Sequence, residues 1–256
     1  MTFACHHSEN IHYPNGAVHF RYEKTHEPSM RKVTEYDMSG NIIAIFYENE
    51  FSQIDSISKY FDEYGHLTSM VFIKNGMRNG ESRWYYPNGQ IEQSVLFVND
   101  QRTGEHCFYN EDGRLRRSEF YKIINGQSFL NAALTYDEND NIMNLESHYA
   151  EIFMDLDTIC YGNSIEYEIG WVCDNETYVR ALTGNIDHNF NVCDSSSLKQ
   201  VNLGLPNYYL PTQTGSDTLR IIFEYKKHQV INGVEKEYRG KTYLDKIFYV
   251  TDCQQN

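Results

Sequence analysis

Asn75-Gly76-Met77-Arg78-Asn79-Gly80-Glu81-Ser82-Arg83-Trp84-Tyr85-Tyr86-Pro87-Asn88-Gly89-Gln90-Ile91 carries two turn signals separated by a run of strand length and strand composition. Asn-Gly and Pro-Asn-Gly supply residues that tolerate positive φ where a chain reverses, and the aromatic run between them suits a pleated surface. The stretch reads as strand, turn, strand, turn. Outward from it, glycines recur at Gly16, Gly40, Gly65, Gly89 and Gly113, at intervals of 24, 25, 24 and 24 residues. A fixed interval of this size is the mark of a repeat array. Two positions after each glycine stands an aliphatic residue: Val18, Ile42, Leu67, Ile91 or Leu115. Three or four before it stands an aromatic: Tyr13, Tyr36, Phe61, Tyr86 or Tyr109. A sixth copy follows at Tyr136-Asp-Glu-Asn-Asp140-Asn-Ile142, with Asp140 in the glycine's place.

Each copy is expected to be a β-hairpin, and six in chain order predict one extended antiparallel meander of up to about twelve strands. An isolated hairpin is marginal in water, so the recurring aromatics and aliphatics are expected to form the ladders that hold neighbours together. Trp84, Tyr85 and Tyr86 cannot all project from one side of a strand, which sends Tyr85 to the opposite face.

The copies resemble MORN-type repeats, in the bacterial variant grouped as YwqK-family antitoxins. The likeness rests on Lys74-Asn-Gly76 through Gly80-Glu-Ser-Arg-Trp84-Tyr-Tyr86-Pro-Asn-Gly89-Gln-Ile91, then on Gly104-Glu-His-Cys-Phe-Tyr109-Asn-Glu-Asp-Gly113-Arg-Leu115. The first two copies and the last depart from that pattern, and the resemblance does not extend to residues 151–256. The resemblance implies a non-catalytic antitoxin or immunity protein that binds and blocks a toxic protein, and it marks no residue as a toxin contact.

Beyond residue 150 the interval disappears while strand-like runs continue. In Ser164-Ile-Glu-Tyr-Glu-Ile169, Ile165, Tyr167 and Ile169 alternate with Glu166 and Glu168. The expected organisation is a flexible start at 1–10, six hairpin repeats at 11–150 and a small antiparallel β domain at 151–256. The turn-rich stretch from Cys193 to Ser216 is expected to be an exposed loop.

The chain has 256 residues, with 22 Lys plus Arg against 36 Asp plus Glu and a formal charge of -14. That charge repels a phosphate backbone and points away from nucleic acid. Between Lys122 and Arg180 no Lys or Arg occurs, while eleven carboxylates do. This segment is either a solvated acidic face or a docking patch for a basic protein such as a cationic toxin. On the second reading Asp155, Asp157, Glu166 and Glu168 steer the partner, and exposed Trp84 and Tyr85 anchor it.

No apolar run reaches the ~18 residues of a membrane span. The six cysteines form no C-x-x-C pair, and either free thiols in a reducing cytoplasm or disulfides in an oxidising compartment accommodate them. Cytoplasm is the first expectation. The alternative is a cell-envelope lipoprotein or scaffold, since Thr2-Phe-Ala-Cys5 is like the end of a lipoprotein cleavage box, with Cys5 as the lipidated residue of a longer precursor.

Motifs for a Walker loop, G-x-G-x-x-G, G-x-S-x-G or H-E-x-x-H are missing, so no catalytic residue, cofactor or metal is expected. Asp137-Glu-Asn-Asp-Asn141 opens like a calcium loop, but Ile142 replaces its glycine, and the segment reads as the repeat's own turn. Asp187-His-Asn-Phe-Asn-Val-Cys193 is faintly similar to the Asn-His-Ser signature of SET methyltransferases, without its leading Asn or its Ser. The histidines His6, His7, His12, His19 and His26 are expected to be exposed residues of a frayed start.

Overall fold

The computed structural model describes residues 9–143, 149–154, 158–160, 163–172, 177–203, 205–211, 214–231 and 234–251. Among them the only helical piece is a short 3-10 turn at Ser195–Ser197, and strands joined by turns and short irregular segments make up the rest. The chain is all-β, as its turn chemistry predicts.

Twelve strands build the first sheet. They are β1 (Glu9–His12), β2 (Val18–Lys24), β3 (Met30–Tyr36), β4 (Ile42–Asn49), β5 (Ser56–Phe61) and β6 (Leu67–Lys74). Then follow β7 (Met77–Arg78), β8 (Gly80–Tyr85), β9 (Ile91–Val98), β10 (Gln101–Tyr109), β11 (Leu115–Ile124) and β12 (Gln127–Thr135). Pairing follows chain order throughout, with the two-residue β7 beside β6, so the sheet is the expected meander.

The turns on the glycine side share one construction. Gly40 N–H donates to the Asp37 carbonyl at 3.1 Å and Asp37 N–H donates to the Asn41 carbonyl at 2.9 Å, closing a five-residue loop. The fourth residue of that loop must be left-handed, and Gly40 adopts φ 90° there. Gly16, Gly65, Gly89 and Gly113 hold the same place at φ 84–88°. Asp140 fills it at φ 62°, as one of the few side chains that tolerate it. Asp37 adds its own carboxylate, whose Oδ1 accepts from the N–H groups of Ser39 and Asn41, both at 2.8 Å. Where tyrosine opens the loop it reaches the next turn instead. Tyr13 Oη donates to the Tyr36 carbonyl at 2.9 Å and Tyr86 Oη to the Tyr109 carbonyl at 2.8 Å. Successive hairpins are thus tied at their tips as well as along their ladders.

Register alternates bulky with small. Tyr60 pairs with Ser69 and Ser69 with Trp84, while Ser58 faces Val71 and Ser82 faces Val95 in a buried row. A small residue beside each large one lets cross-strand neighbours interdigitate.

By its contacts the chain forms two compact units, Met1–Ser118 and Glu119–Asn256, dividing within β11. The second unit holds eight further strands: β13 (Tyr149–Met154), β14 (Thr158–Cys160), β15 (Ile165–Val172) and β16 (Thr177–Thr183), then β17 (Lys199–Val201), β18 (Asn207–Tyr209), β19 (Gly215–Ile231) and β20 (Val234–Thr251). They make a three-stranded sheet, β13-β15-β18, and a five-stranded sheet, β14-β20-β19-β16-β17. The inward residues of both form one core. Ile165, Tyr167 and Ile169 meet Leu219, Ile221 and Phe223, all at most 5% exposed. Trp171 stacks on Phe223 with ring centroids 5.0 Å apart. Burial pushes the Tyr167 hydroxyl up to about 12. One ladder departs from the antiparallel pattern: β14 runs parallel to β20, Thr158 opposite Tyr249. The expected loop from Cys193 to Ser216 contains the 3-10 turn, β17 and β18.

The same turn is built at Asn49–Gln53, with Ser52 left-handed at φ 58°, and a further copy lies hidden in the second unit. Asp187 N–H donates to the Asn191 carbonyl and Phe190 N–H to the Asp187 carbonyl, both at 3.0 Å, and Ile186 bridges Val192 as Tyr136 bridges Ile142. Phe190 takes the left-handed position at φ 58°, which is strained for an aromatic residue. Its burial against Ile124, Ile186, Ile222 and Tyr243 offsets that strain. Close by, Asn131 occupies the outer edge of β20. Its Nδ2 donates to the Tyr243 carbonyl at 3.0 Å and its Oδ1 accepts from Tyr243 N–H at 2.7 Å, the pair of bonds a neighbouring strand would make.

Gly65 has open space around its missing Cβ, so Gly65→Ala isolates the backbone strain. That variant is expected to lose about 1–2 kcal/mol in urea unfolding, while Asp140→Gly gains up to about 1 kcal/mol. Equal stability of Gly65→Ala and the parent chain would contradict the turn's dependence on a left-handed fourth residue.

Candidate protein-binding surface

The sequence-predicted residues fall in different units. Trp84 and Tyr85, both half-buried rather than exposed, end β8 in the first unit. Trp84 lies between Ser69 and Gln93, and Tyr85 projects from the other face, where its hydroxyl donates to Met70 Sδ at 3.4 Å. The alternation expected for the Trp-Tyr pair is present, but neither ring stands free of its neighbours. Asp155 and Asp157 lie outside the described residues. Glu166 and Glu168 are exposed on β15 in the second unit.

Strand alternation sets what surrounds those two glutamates. With Ile165, Tyr167 and Ile169 committed to the core, the outer face of the three-stranded sheet receives Glu166 and Glu168 from β15, Glu151 and Phe153 from β13, and Tyr208 from β18. Register brings Tyr208 opposite Glu166 and Phe153 opposite Glu168. Both rings are open to solvent, Phe153 at 51% and Tyr208 at 67%. Gly170 explains how Phe153 is held. A Cβ there would sit 2.7 Å from Phe153 Cε2, so the ring lies across a place that only glycine leaves vacant. The face carries no Lys or Arg in any of its three strands. Among the described residues, none of the three glutamates is in an ion pair.

Phe153 and Tyr208 were not legible as site residues. The alternation Glu151-Ile152-Phe153 signals a ring on the carboxylate side, whereas Tyr208 belongs to a three-residue strand too short to recognise.

Elsewhere the first unit has a cavity of about 910 Å3 lined by Arg21, Glu23, Lys24, Glu27, Lys32 and Asp55 among others. Two of its charges engage each other, with Lys32 Nζ 3.0 Å from Glu23 Oε2. His19 is not part of a frayed start: it lies on β2, stacked on Tyr13 at 4.0 Å and 3.3 Å from Glu35 Oε1. The end of β1 carries His12, and His6 and His7 lie outside the described residues. Among the described residues no group of three or more His, Cys, Asp or Glu side chains is placed to hold a metal. Asp137 turns its carboxylate onto the N–H groups of Asn139 and Asn141, at 2.8 and 2.9 Å, and so serves its own turn rather than a cation. The segment Asp187–Cys193, weighed against a methyltransferase signature, has the same construction. Cys107 and Cys193 are free, but Cys160 is disulfide-bonded, which departs from the expectation of free thiols. Among the described residues no helix is long and apolar enough to cross a membrane.

Repeated hairpins in one sheet, with side chains offered on broad faces, define a repeat-type binding or scaffold module. Residues 78–99, which include Trp84 and the turn at Gly89, match the MORN repeat variant family. No curated protein shows a significant sequence match. Two solved structures share a partial likeness: TarM of S. aureus, as a mutant in complex with fondaparinux, alpha-GlcNAc-glycerol and UDP, and TarM itself. They are 13% and 14% identical at a TM-score of 0.28, covering 38% and 37% of this chain and only 21% and 20% of theirs. So slight a likeness bears on neither fold nor chemistry.

The turn carboxylates titrate low. Hydrogen bonds from the side chain and backbone of Asn191 hold Asp187 below the usual aspartate value, and those from the backbone and side chain of Asn141 do the same for Asp137. A carboxyl depressed by folding contributes stability that is complete above the unfolded value, near 3.9, and lost as pH falls through the folded one. Carboxyl carbon shifts followed by NMR should therefore give midpoints below about 3.9 for both residues. Midpoints at or above that value would remove the turns' electrostatic contribution.

Proposed function

We propose that this chain is a non-catalytic protein-binding module of the antitoxin or immunity type, which binds a basic toxin protein and blocks it by covering its working surface. The observation that carries the reading is a MORN repeat variant within a repeat sheet on a chain of formal charge -14. Such a sheet offers a broad preformed surface, and the charge draws in a cationic protein while repelling nucleic acid. Inhibition is steric and electrostatic and involves no cofactor. Glu166 and Glu168, with Asp155 and Asp157, raise the rate of encounter, and the parts of Trp84 and Tyr85 left open by their neighbours supply apolar contact. The module acts in the cytoplasm.

Affinity capture from the native cell at about 50 mM salt is expected to return one basic protein in stoichiometric amount. That protein, expressed alone, should arrest growth, and co-expression of this chain should relieve the arrest. No stoichiometric basic partner, or a partner whose expression is harmless, would end the antitoxin reading.

The disulfide at Cys160 favours a second reading, a cell-envelope lipoprotein or scaffold, because disulfides persist in oxidising compartments. Alkylation at harvest followed by mass spectrometry separates the two. Exposed Cys193 is expected to label first, with half-buried Cys107 slower because burial raises its thiol pKa. Cys160 labelled without reduction supports the cytoplasm; Cys160 protected until reductant is added supports the envelope.

A further inference from the structure

We infer that the outer face of the β13-β15-β18 sheet is a docking surface for arginine side chains displayed by a basic protein partner. The inference deepens the proposed function and rests on it for the partner being a protein. Its starting observation is the pair of open rings, Phe153 and Tyr208, on a sheet whose opposite face is fully committed to the core. Exposed aromatics scattered singly need no explanation, but two on one small face, each with a carboxylate in register, form a repeated unit.

The unit has a definite chemistry. Directly opposed residues on neighbouring strands have Cβ atoms ~5 Å apart, so Glu166 leaves the sheet beside Tyr208 and Glu168 beside Phe153, whose ring reaches on over Gly170. A guanidinium group fits both halves at once. Its plane stacks on a ring while its edge donates two parallel N–H bonds to a carboxylate. An ammonium is more strongly hydrated and cannot stack, so lysine gains less from the same place.

Charge argues in the same direction. Glu151, Glu166 and Glu168 share the face with no cation from its own strands, and among the described residues none is in an ion pair. A partner that brings cations is therefore complementary, and one that brings carboxylates is repelled. Successive outward residues of β15 lie ~7 Å apart, so Glu166 and Glu168 would take two arginines on alternate residues of a partner strand or on adjacent turns of a helix.

Fluorescence anisotropy with labelled nona-arginine and nona-lysine peptides tests this on the full chain at about 100 mM salt. The parent chain should bind nona-arginine several-fold more tightly than nona-lysine. Glu166→Gln with Glu168→Gln should weaken nona-arginine at least several-fold. The control pair Glu63→Gln with Glu111→Gln removes the same charge from exposed turns of the first unit and should change binding less than two-fold. Tyr208→Ala should weaken nona-arginine roughly two- to five-fold and leave nona-lysine nearly unchanged. Because Phe153 braces Gly170, Tyr208→Ala is the ring variant to rely on, with circular dichroism confirming its fold. Equal affinity for the two peptides, or equal loss in the face and control pairs, would overturn the inference. If cell capture yields a basic toxin that binds the Glu166, Glu168 and Tyr208 variants unchanged, the antitoxin reading stands and this surface assignment falls. If nona-arginine selects the face but no toxin exists, the reverse holds.

Discussion

A five-residue turn whose fourth member must be left-handed governs the large sheet. In a strand the side chains alternate between two faces, so adding or removing one residue at a turn would exchange the faces of everything that follows. The turn prevents this by fixing both ends of its loop, with Asp37 and Asn41 or their equivalents bonded across it. Once it is fixed, Ser58 meets Val71 and Ser82 meets Val95 on the buried side, while Lys59 and Met70 fall on the other. The near-constant interval along the chain is the imprint of that requirement.

The second unit solves a different problem. Instead of extending a single layer, it folds two sheets against each other, and the fully buried Ile169, Leu219, Ile221, Phe223 and Phe248 belong to this sandwich. Commitment of one face to a dry core frees the other for recognition, since its residues contribute little to folding. The arrangement of Glu166, Glu168, Phe153 and Tyr208 is in this sense a by-product of where Ile165, Tyr167 and Ile169 had to go. Among the described residues the first unit has no comparable second layer, and Trp84 is occupied with neighbours in its own sheet.

Legibility in the sequence followed locality. The turns at Gly16 to Gly113 and at Asp140 could be read because everything that specifies them lies within five residues. The inward set on β15 could be read from alternation alone. The copy at Asp187 was hidden because Phe190 stands where the six repeats have glycine or aspartate, and only burial by distant residues makes a left-handed phenylalanine affordable. Tyr208 was hidden because three residues carry no period. The expected loop after Cys193 contains strands for the same reason, since β17 and β18 exist only through pairing with β16 and β15. The environments of Trp84 and His19 likewise arise from partners far along the chain, which no local pattern records.

Asn131 has a significance larger than its two hydrogen bonds. The outer border of β20 is a long row of main-chain donors and acceptors, and among the described residues β14 pairs with it at Thr158–Cys160, opposite Tyr249–Thr251. Such a border is a template on which a second molecule can crystallise its own backbone, and then a third. By placing one amide where the next ribbon would begin, the protein counterfeits a neighbour and spoils the template near its middle. A short polar side chain thereby occupies the two main-chain groups that an incoming strand would need there.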